Sequence, residues 1–283
     1  MGAPDKYRHQ PQEMDPMIED YVLRRMSAER DLGLDIVEKD YVLGWILKGI
    51  SESSVSDGLI FKGGTALSKV HFPRDWRLSE DLDFTLLDEP SMHHISEKLR
   101  DELPEIITEE SQGIRAEYKN PYVTDYFLRA TIGFTGPITR HNTRIEVTRE
   151  RFIGEWSRFE VPESYDYQPF TLNTYTKNNI LAEKLRSLIE RDKIRDYYDT
   201  WRLLDKKAAD TNRVKELFYK KCEGKDITFT STDQFFPKGI IETLEPFYSE
   251  LTRLTPYKPP PIKTLIKELK NLTKTLFNET KLN

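Results

Sequence analysis

The stretch Phe61-Lys62-Gly63-Gly64-Thr65-Ala66-Leu67, with Arg77-Leu78-Ser79-Glu80-Asp81-Leu82-Asp83-Phe84 after it, decides how this chain is expected to fold. The apolar residues before the two glycines indicate a short strand, and the residues after them can continue as a helix. The segment from Leu82 to Leu87 has the β-favourable composition of a further strand. These elements predict a fold in which strands and helices are mixed.

The paired glycines predict a turn that binds phosphate. Gly63 and Gly64 let the main chain approach phosphate oxygens without a Cβ in the way. The start of the following helix offers free amides and the positive end of a dipole, and Thr65 adds a hydroxyl. A Gly-Gly pair alone also serves simple turns, so this prediction depends on the acidic residues that follow.

Asp81 and Asp83 predict a metal site. Side chains two residues apart on a strand point to the same face, so the two carboxylates can share a hard cation such as Mg²⁺, with Mn²⁺ as the alternative ion. Glu146 lies in an alternating segment and is expected to add a third acid from a neighbouring strand. In two-metal catalysis one ion activates the attacking hydroxyl and the other holds the triphosphate. The acids therefore predict phosphoryl chemistry on a nucleotide.

The rest of the chain divides into a mixed half and a helical half. Asp35 to Ile50 has helical periodicity, whereas Tyr126 to Phe134 and Thr143 to Thr148 alternate as strands do. From Asn178 onward the pattern is helical throughout. We therefore predict an α/β (α+β) domain at 1–177, including N-terminal helices, and a helical bundle domain at 178–283.

A second informative segment opens the helical half. Lys184 lies beside the apolar stripe of its predicted helix, so it can point into a cleft and neutralise a triphosphate as a point charge. Arg195, Asp199 and Arg202 share a face of the next helix. A surface ion-pair ladder is the alternative interpretation of these charges.

Composition limits the classes of protein that the chain can belong to. A single cysteine, Cys222, excludes an internal disulfide and favours the cytoplasm, and no segment is apolar for long enough to form a membrane helix. The net charge of −5 argues against a surface that is basic all over, although local basic patches remain open. Arginines cluster at Arg140, Arg144, Arg149 and Arg151, whereas the lysines of the last helix are expected to be a solvated face.

In these motifs the chain resembles the AbiEii-type nucleotidyltransferase toxins, a branch of the DNA polymerase beta-like nucleotidyltransferase superfamily. The matching pieces lie between residues 37 and 199, in family order. The resemblance implies a nucleotidyltransferase-like mixed sheet flanked by helices and followed by a C-terminal helical bundle. It also implies metal-dependent transfer of a nucleoside monophosphate from a nucleoside triphosphate to an RNA 3′ end such as that of tRNA.

The resemblance further assigns roles to individual residues. Gly63, Gly64 and Thr65 would be the triphosphate turn, Asp81 and Asp83 the metal ligands and Lys184 the triphosphate lysine, while either Asp196 or Asp199 would be the acid of the helical motif. Such toxins are usually paired with an antitoxin encoded nearby, in type IV systems that slow growth or abort phage infection. A protein or small-molecule hydroxyl as acceptor, and a nucleotide-binding module with a decayed centre, are the competing interpretations.

Overall fold

One mixed seven-stranded sheet forms the centre of the structure, which is a computed structural model that describes residues 18–87 and 90–278. Its strands are β1 (Leu59–Lys62), β2 (Asp81–Leu86), β3 (Arg115–Val123), β4 (Phe127–Thr135), β5 (Arg140–Thr148), β6 (Trp156–Val161) and β7 (Phe170–Tyr175). They lie in the order β3-β4-β5-β2-β1-β7-β6. The two predicted motifs, on β1 and β2, therefore meet in the middle of the sheet.

Helices flank the sheet and make up the C-terminal part of the chain. They are α1 (Asp20–Arg30), α2 (Leu34–Glu52), α3 (Gly63–Ala66), α4 (Met92–Ser111), α5 (Lys177–Glu190), α6 (Ile194–Asp205), α7 (Thr211–Glu223), α8 (Ile240–Leu244), α9 (Tyr248–Leu254) and α10 (Ile262–Leu276). Short 3₁₀ turns lie at Ser56–Gly58, Thr232–Phe235 and Glu245–Phe247. In the described part of the chain, no helix is both long and apolar enough to cross a membrane.

The strand register gathers the acidic residues on one face of the sheet. β2 pairs with β1 in antiparallel register, which places Lys62 opposite Asp83. β2 also pairs with β5, here in parallel, which places Glu146 on the other side of Asp83. Paired residues of neighbouring strands point to the same face. The side chains of Lys62, Asp83 and Glu146, from three adjacent strands, thus lie next to one another on this face.

The two faces of the sheet differ in what covers them. On β4 and β5 the residues of one face are buried and apolar, among them Leu128, Ile132, Ile145 and Val147, and α4 packs on this side of β3 and β4. On the acidic face, α5 packs on β7, and the ammonium group of Lys221 in α7 lies 4.7 Å from the ring centre of Tyr175. The acidic face is therefore covered at β1 and β7, while the side chains of β3, β4 and β5 on that face are exposed or half-buried.

The mixed sheet and its flanking helices confirm the predicted fold class. The alternating segments at β4 and β5 and the helical pattern of α2 are also found as predicted. Three strands, β3, β6 and β7, were not predicted. β3 contains Asn120 and Pro121 at an irregularity in its pairing, and most of β6 is exposed, so neither shows clear apolar alternation. The boundary at 177/178 coincides with the start of α5, and the division into two domains stays a prediction.

Candidate active site

The glycine turn lies directly against the acidic residues. Gly63 has a φ of +79°, and a Cβ added there would lie 2.6 Å from Oδ2 of Asp83. A Cβ at Gly64 would lie 2.8 Å from a guanidinium nitrogen of Arg77. The hydroxyl of Thr65 donates to the main-chain carbonyl of Asp81 and so ties the turn to β2. Glycine is thus required because two charged side chains of the site touch the turn.

The helix after the turn changes type along its length. α3 passes at Ala66 directly into a π-helical turn at Leu67–His71, so the chain is helical from Gly63 to His71. The peptide units of both turns are aligned, and the positive end of their dipole lies at the glycine turn. The amides of the turn itself are the donors that remain for a phosphate group, and this role of Gly63, Gly64 and Thr65 stays a prediction.

Gly63→Ala is expected to impair both stability and activity. The positive φ strains any side chain, and the added methyl group displaces the carboxylate of Asp83, so we expect a loss of at least about 1 kcal/mol in the free energy of unfolding. Chemical denaturation and a transfer assay would measure the two effects. Gly58→Ala, at the other end of β1, is the matched control because Gly58 has no positive φ. Equal effects of both substitutions would contradict this account of the turn.

The carboxyl group of Asp83 is held in a strained electrostatic setting. Its pKa is raised to about 6, because burial and the neighbouring charges of Glu146 and Asp81, which raise it, outweigh Lys62 and Lys184, which lower it. A divalent cation between Asp81 and Asp83 would relieve this repulsion. The pair therefore fits a metal such as Mg²⁺, which prefers carboxylate oxygens.

Glu146 is placed beside Asp83 but is engaged elsewhere. Its carboxylate accepts a hydrogen bond from Arg129 at 2.9 Å and lies 3.6 Å from Arg144. Within residues 18–87 and 90–278, no three His, Cys, Asp or Glu side chains come close enough together to hold a metal ion. The predicted three-acid clamp is therefore not assembled, and Asp81 and Asp83 are its two members without such arginine partners.

Lys184 projects from α5 to two carboxylates of α6. Its ammonium group lies 2.6 Å from Oδ1 of Asp196 and 3.0 Å from Oδ2 of Asp199. Burial lowers the pKa of Lys184, but the two carboxylates outweigh this and raise it, so the group is charged at neutral pH. Lys184 is thus held by two carboxylates at the cleft, and its role toward a triphosphate stays a prediction.

The two aspartates of α6 have different surroundings. Asp199 is 0% exposed and accepts hydrogen bonds from Arg77 at 2.6 and 2.8 Å and from the indole of Trp76 at 3.1 Å. Burial raises the pKa of Asp199, but Arg77 and Lys184 lower it overall. Asp196 instead lines the cavity beside Asp81 and Asp83 and is bound by Lys184 and Arg191.

The charge of Asp196 is stabilised by its two basic partners. Burial raises the pKa of this carboxyl, whereas Lys184 and Arg191 lower it to about 2, so it is ionised at neutral pH. Because only Asp196 reaches the cavity, it is the candidate for contact with a substrate. Asp199 is buried against Lys184 and Arg77, and which of the two aspartates is the acid of the helical motif stays a prediction.

A cavity of about 220 Å³ joins these groups. Seven basic residues line it, against four acidic ones, although the whole chain has a net charge of −5. A second cavity of about 260 Å³ shares Asp83, Glu146, Lys184 and Arg191 with the first. The basic residues of the first cavity are Arg77, Arg129, Arg144, Lys184, Arg191, Lys193 and Arg195.

Sequence reasoning did not assign several residues that shape this site. Lys62 is 6% exposed, and its ammonium group lies 2.7 Å from Glu150 and 3.3 Å from Glu183. Arg77 is 2% exposed and holds Asp199. Lys62 and Arg77 both lie within the two sequence motifs quoted above, so their position in those motifs was the feature that could have identified them as site residues. Arg129 and Arg191 have no such signal, because strand order and helix packing alone bring them to the acids.

The fold is nucleotidyltransferase-like. The fold is similar to that of MenT4, a nucleotidyltransferase toxin from Mycobacterium tuberculosis, with a TM-score of 0.69, 17% identity and coverage of 92% of this chain and 90% of that one. It is also similar to JHP933 from Helicobacter pylori, with a TM-score of 0.55, 15% identity and coverage of 88% and 94%.

The family itself is shown by sequence. A sequence model described as the nucleotidyl transferase AbiEii toxin of type IV toxin–antitoxin systems matches residues 45–271. The chain belongs to this family. The comparison with curated proteins returned no match. Membership makes the chain a nucleotidyltransferase toxin and confirms the resemblance stated from its motifs.

Proposed function

We propose that this chain transfers a nucleoside monophosphate from a nucleoside triphosphate to the 3′ end of an RNA, with tRNA as the acceptor, in the cytoplasm. Family membership gives the class of reaction. The observation that carries the choice of RNA is the basic excess around Asp81 and Asp83 on a chain of net charge −5. Polyanions bind through such local basic clusters.

The residues of the site suit each part of this reaction. The 3′ hydroxyl loses its proton to solvent as its oxygen forms a bond to the α-phosphorus, and the bond from the α-phosphorus to the oxygen that bridges to the β-phosphate breaks to release pyrophosphate. Lys184 and the amides at Gly63 and Gly64 would bind the triphosphate, and Asp81 and Asp83 would hold Mg²⁺ or Mn²⁺. When bound, the ion lowers the pKa of a hydroxyl and neutralises the triphosphate.

The surrounding residues orient these groups. Asp196 and Asp199 hold the ammonium group of Lys184 at 2.6 and 3.0 Å, so that it stays in the cleft. Glu146 would contribute to the metal only after release from Arg129 and Arg144, which it binds in this structure. Glu146 would therefore act as a third metal ligand only when substrate phosphates bind the two guanidinium groups in its place.

The other acceptors weighed from the sequence would use the same site, since the fold does not determine the acceptor. A small hydroxyl compound as acceptor needs no basic residues other than those that bind the triphosphate. In this structure Arg129 on β4 and Arg144 on β5 extend the basic surface away from Asp81 and Asp83. A decayed centre is disfavoured because the turn, both aspartates and Lys184 are all present and adjacent. Type IV systems imply an antitoxin encoded nearby, without direct contact between it and this chain.

The test is to incubate the purified protein with Mg²⁺, total tRNA and each labelled nucleoside triphosphate in turn. We expect label on tRNA with the unmodified protein, loss of labelling with EDTA and recovery with excess Mg²⁺ or Mn²⁺. The double variant Asp81→Ala, Asp83→Ala is the negative control. Label on a protein or small molecule instead of RNA would overturn the RNA acceptor, and nucleotide binding without any transfer would support a decayed centre.

A further inference from the structure

The acidic face of the sheet continues, uncovered, across three strands beyond the active site. Asp81 pairs with Arg144 on β5, and Arg144 pairs with Thr131 on β4. Thr131 in turn pairs with Lys119 on β3. Paired side chains share a face, so this row runs from the metal pair to the edge of the sheet, over about 14 Å at three strand spacings. The row connects the site to an exposed surface.

This surface carries far more positive than negative charge. Its basic residues on β3, β4 and β5 are Arg115, Lys119, Arg129, Arg140 and Arg144, and its acidic residues are Glu117 and Glu146. We call these side chains, with Tyr122, the open sheet face. All of the arginines among them are exposed. The open sheet face is basic on a chain whose net charge is −5.

The internal ion pairs of the open sheet face leave part of this charge available. Glu146 pairs with Arg129 and Arg144, and Glu117 pairs with Lys119 at 2.6 Å. Arg115 and Arg140 flank Thr135 at the far end and have no acidic partner among the described residues. Two exposed guanidinium groups without an acidic partner among the described residues thus stand at the start of β3 and of β5, four residues along these strands from Lys119 and Arg144.

We propose that the open sheet face binds the phosphate backbone of the acceptor RNA and leads its 3′ end to Asp81 and Asp83. The proposal rests on the proposed function and adds where the acceptor lies. Phosphates of RNA are bound by lysine and arginine side chains, and the face continues into the cavity because Arg129 and Arg144 line both.

Further features of the open sheet face fit a nucleic acid better than a protein. Tyr122 is 62% exposed beside the basic row and offers a ring on which an unpaired base can stack. On β4 and β5 the large apolar side chains lie on the opposite, buried face except for Phe127, whose half-buried ring lies 5.2 Å from the guanidinium carbon of Arg129. One such ring beside a guanidinium group does not make an apolar centre of the kind that stable protein interfaces bury. Charge complementarity therefore selects RNA as the occupant.

The decisive experiment neutralises the two arginines that are most distant from the acids. The double variant Arg115→Gln, Arg140→Gln is expected to raise the KM for tRNA about tenfold, with kcat and the KM for the nucleoside triphosphate unchanged. Each lost phosphate contact also lowers the slope of log affinity against log salt by about 0.7 to 0.9. The reversal Arg115→Glu, Arg140→Glu should raise the KM for tRNA further.

Lys263→Gln, Lys267→Gln is the matched control, because it removes the same charge from exposed positions of α10. Thermal melts and nucleotide binding report whether each variant is folded. If the unmodified protein labels tRNA and the arginine variants keep its KM and salt slope, the open sheet face is not the RNA site, and the proposed function stands. If the unmodified protein labels a protein and the arginine variants weaken that reaction, the face binds an acidic protein, and both proposals are overturned. If the unmodified protein binds nucleotide but labels no RNA, both proposals are also overturned.

Discussion

Asp83→Asn is expected to lower kcat for nucleotidyl transfer by at least about 100-fold and, at the same time, to stabilise the fold at neutral pH. The loss of activity follows because an amide is a poor ligand for a hard cation and does not replace the negative charge beside the triphosphate. The gain in stability follows because the fold buries this carboxylate beside Glu146 and Asp81. A residue that costs stability and is needed for activity is typical of a catalytic site.

The raised pKa of Asp83 determines how both properties depend on pH. Its value of about 6 exceeds the ordinary value of 3.8, so the neutral carboxyl is favoured in the folded state. Its contribution to stability is complete below about pH 4 and is lost as the pH rises through 6. Activity without excess metal should show the opposite trend and fall as the pH is lowered through about 6. Bound Mg²⁺ favours the carboxylate and should move this fall to lower pH.

Thermal melts at pH 5 and pH 8, with and without Mg²⁺, measure this prediction separately from activity. Asp83→Asn should raise the melting temperature at pH 8, and Mg²⁺ should stabilise the unmodified protein more than the variant. Asp57→Asn, an exposed acid at the other end of β1, is the matched control and should change neither property. A variant that loses stability at pH 8, or that keeps its response to Mg²⁺, would contradict the assignment of Asp83.

The parts of the site that could be predicted from sequence are those with a local signal. Gly63, Gly64, Asp81 and Asp83 act through spacings within a turn and a strand, and their order along the chain survives in three dimensions. The arginine partners of Glu146 could not be predicted, because Arg129 reaches it through the pairing of β4 with β5. Pairing between distant strands depends on the whole sheet and leaves little local trace.

The choice between Asp196 and Asp199 shows the same limit in the helical half. Both are ion-paired with Lys184, and helical periodicity puts both on the same side of α6, so the sequence leaves them equivalent. In the structure the loop before β2 distinguishes the two aspartates, because Trp76 and Arg77 from that loop cover Asp199 and leave Asp196 at the cavity. Tertiary packing, rather than any motif, gives the two carboxylates different surroundings.

Asp199→Asn is therefore expected to destabilise the protein severely. Arg77 is 2% exposed and Asp199 is 0% exposed, so the amide leaves a guanidinium group buried without its charge partner. Removal of one partner of a buried ion pair costs about 3 to 5 kcal/mol in the free energy of unfolding. In a chain of this size such a loss lowers the melting temperature by roughly 10 °C. Asp196→Asn should cost less, since its partner Arg191 is half exposed, yet it should reduce activity at the cavity.

Urea denaturation at pH 7 and transfer kinetics, on both variants, separate the two roles. Addition of Arg77→Met to Asp199→Asn removes the unpaired buried charge and should recover part of the lost stability, which gives a coupling energy that an isolated substitution does not. The pKa of Asp199 is lowered, so its stabilising effect is present at neutral pH and is lost on acidification below its ordinary value. The variant and the unmodified protein should thus converge in stability at low pH. If Asp196→Asn is the more destabilising substitution while Asp199→Asn stays folded and inactive, the two aspartates have the reverse roles.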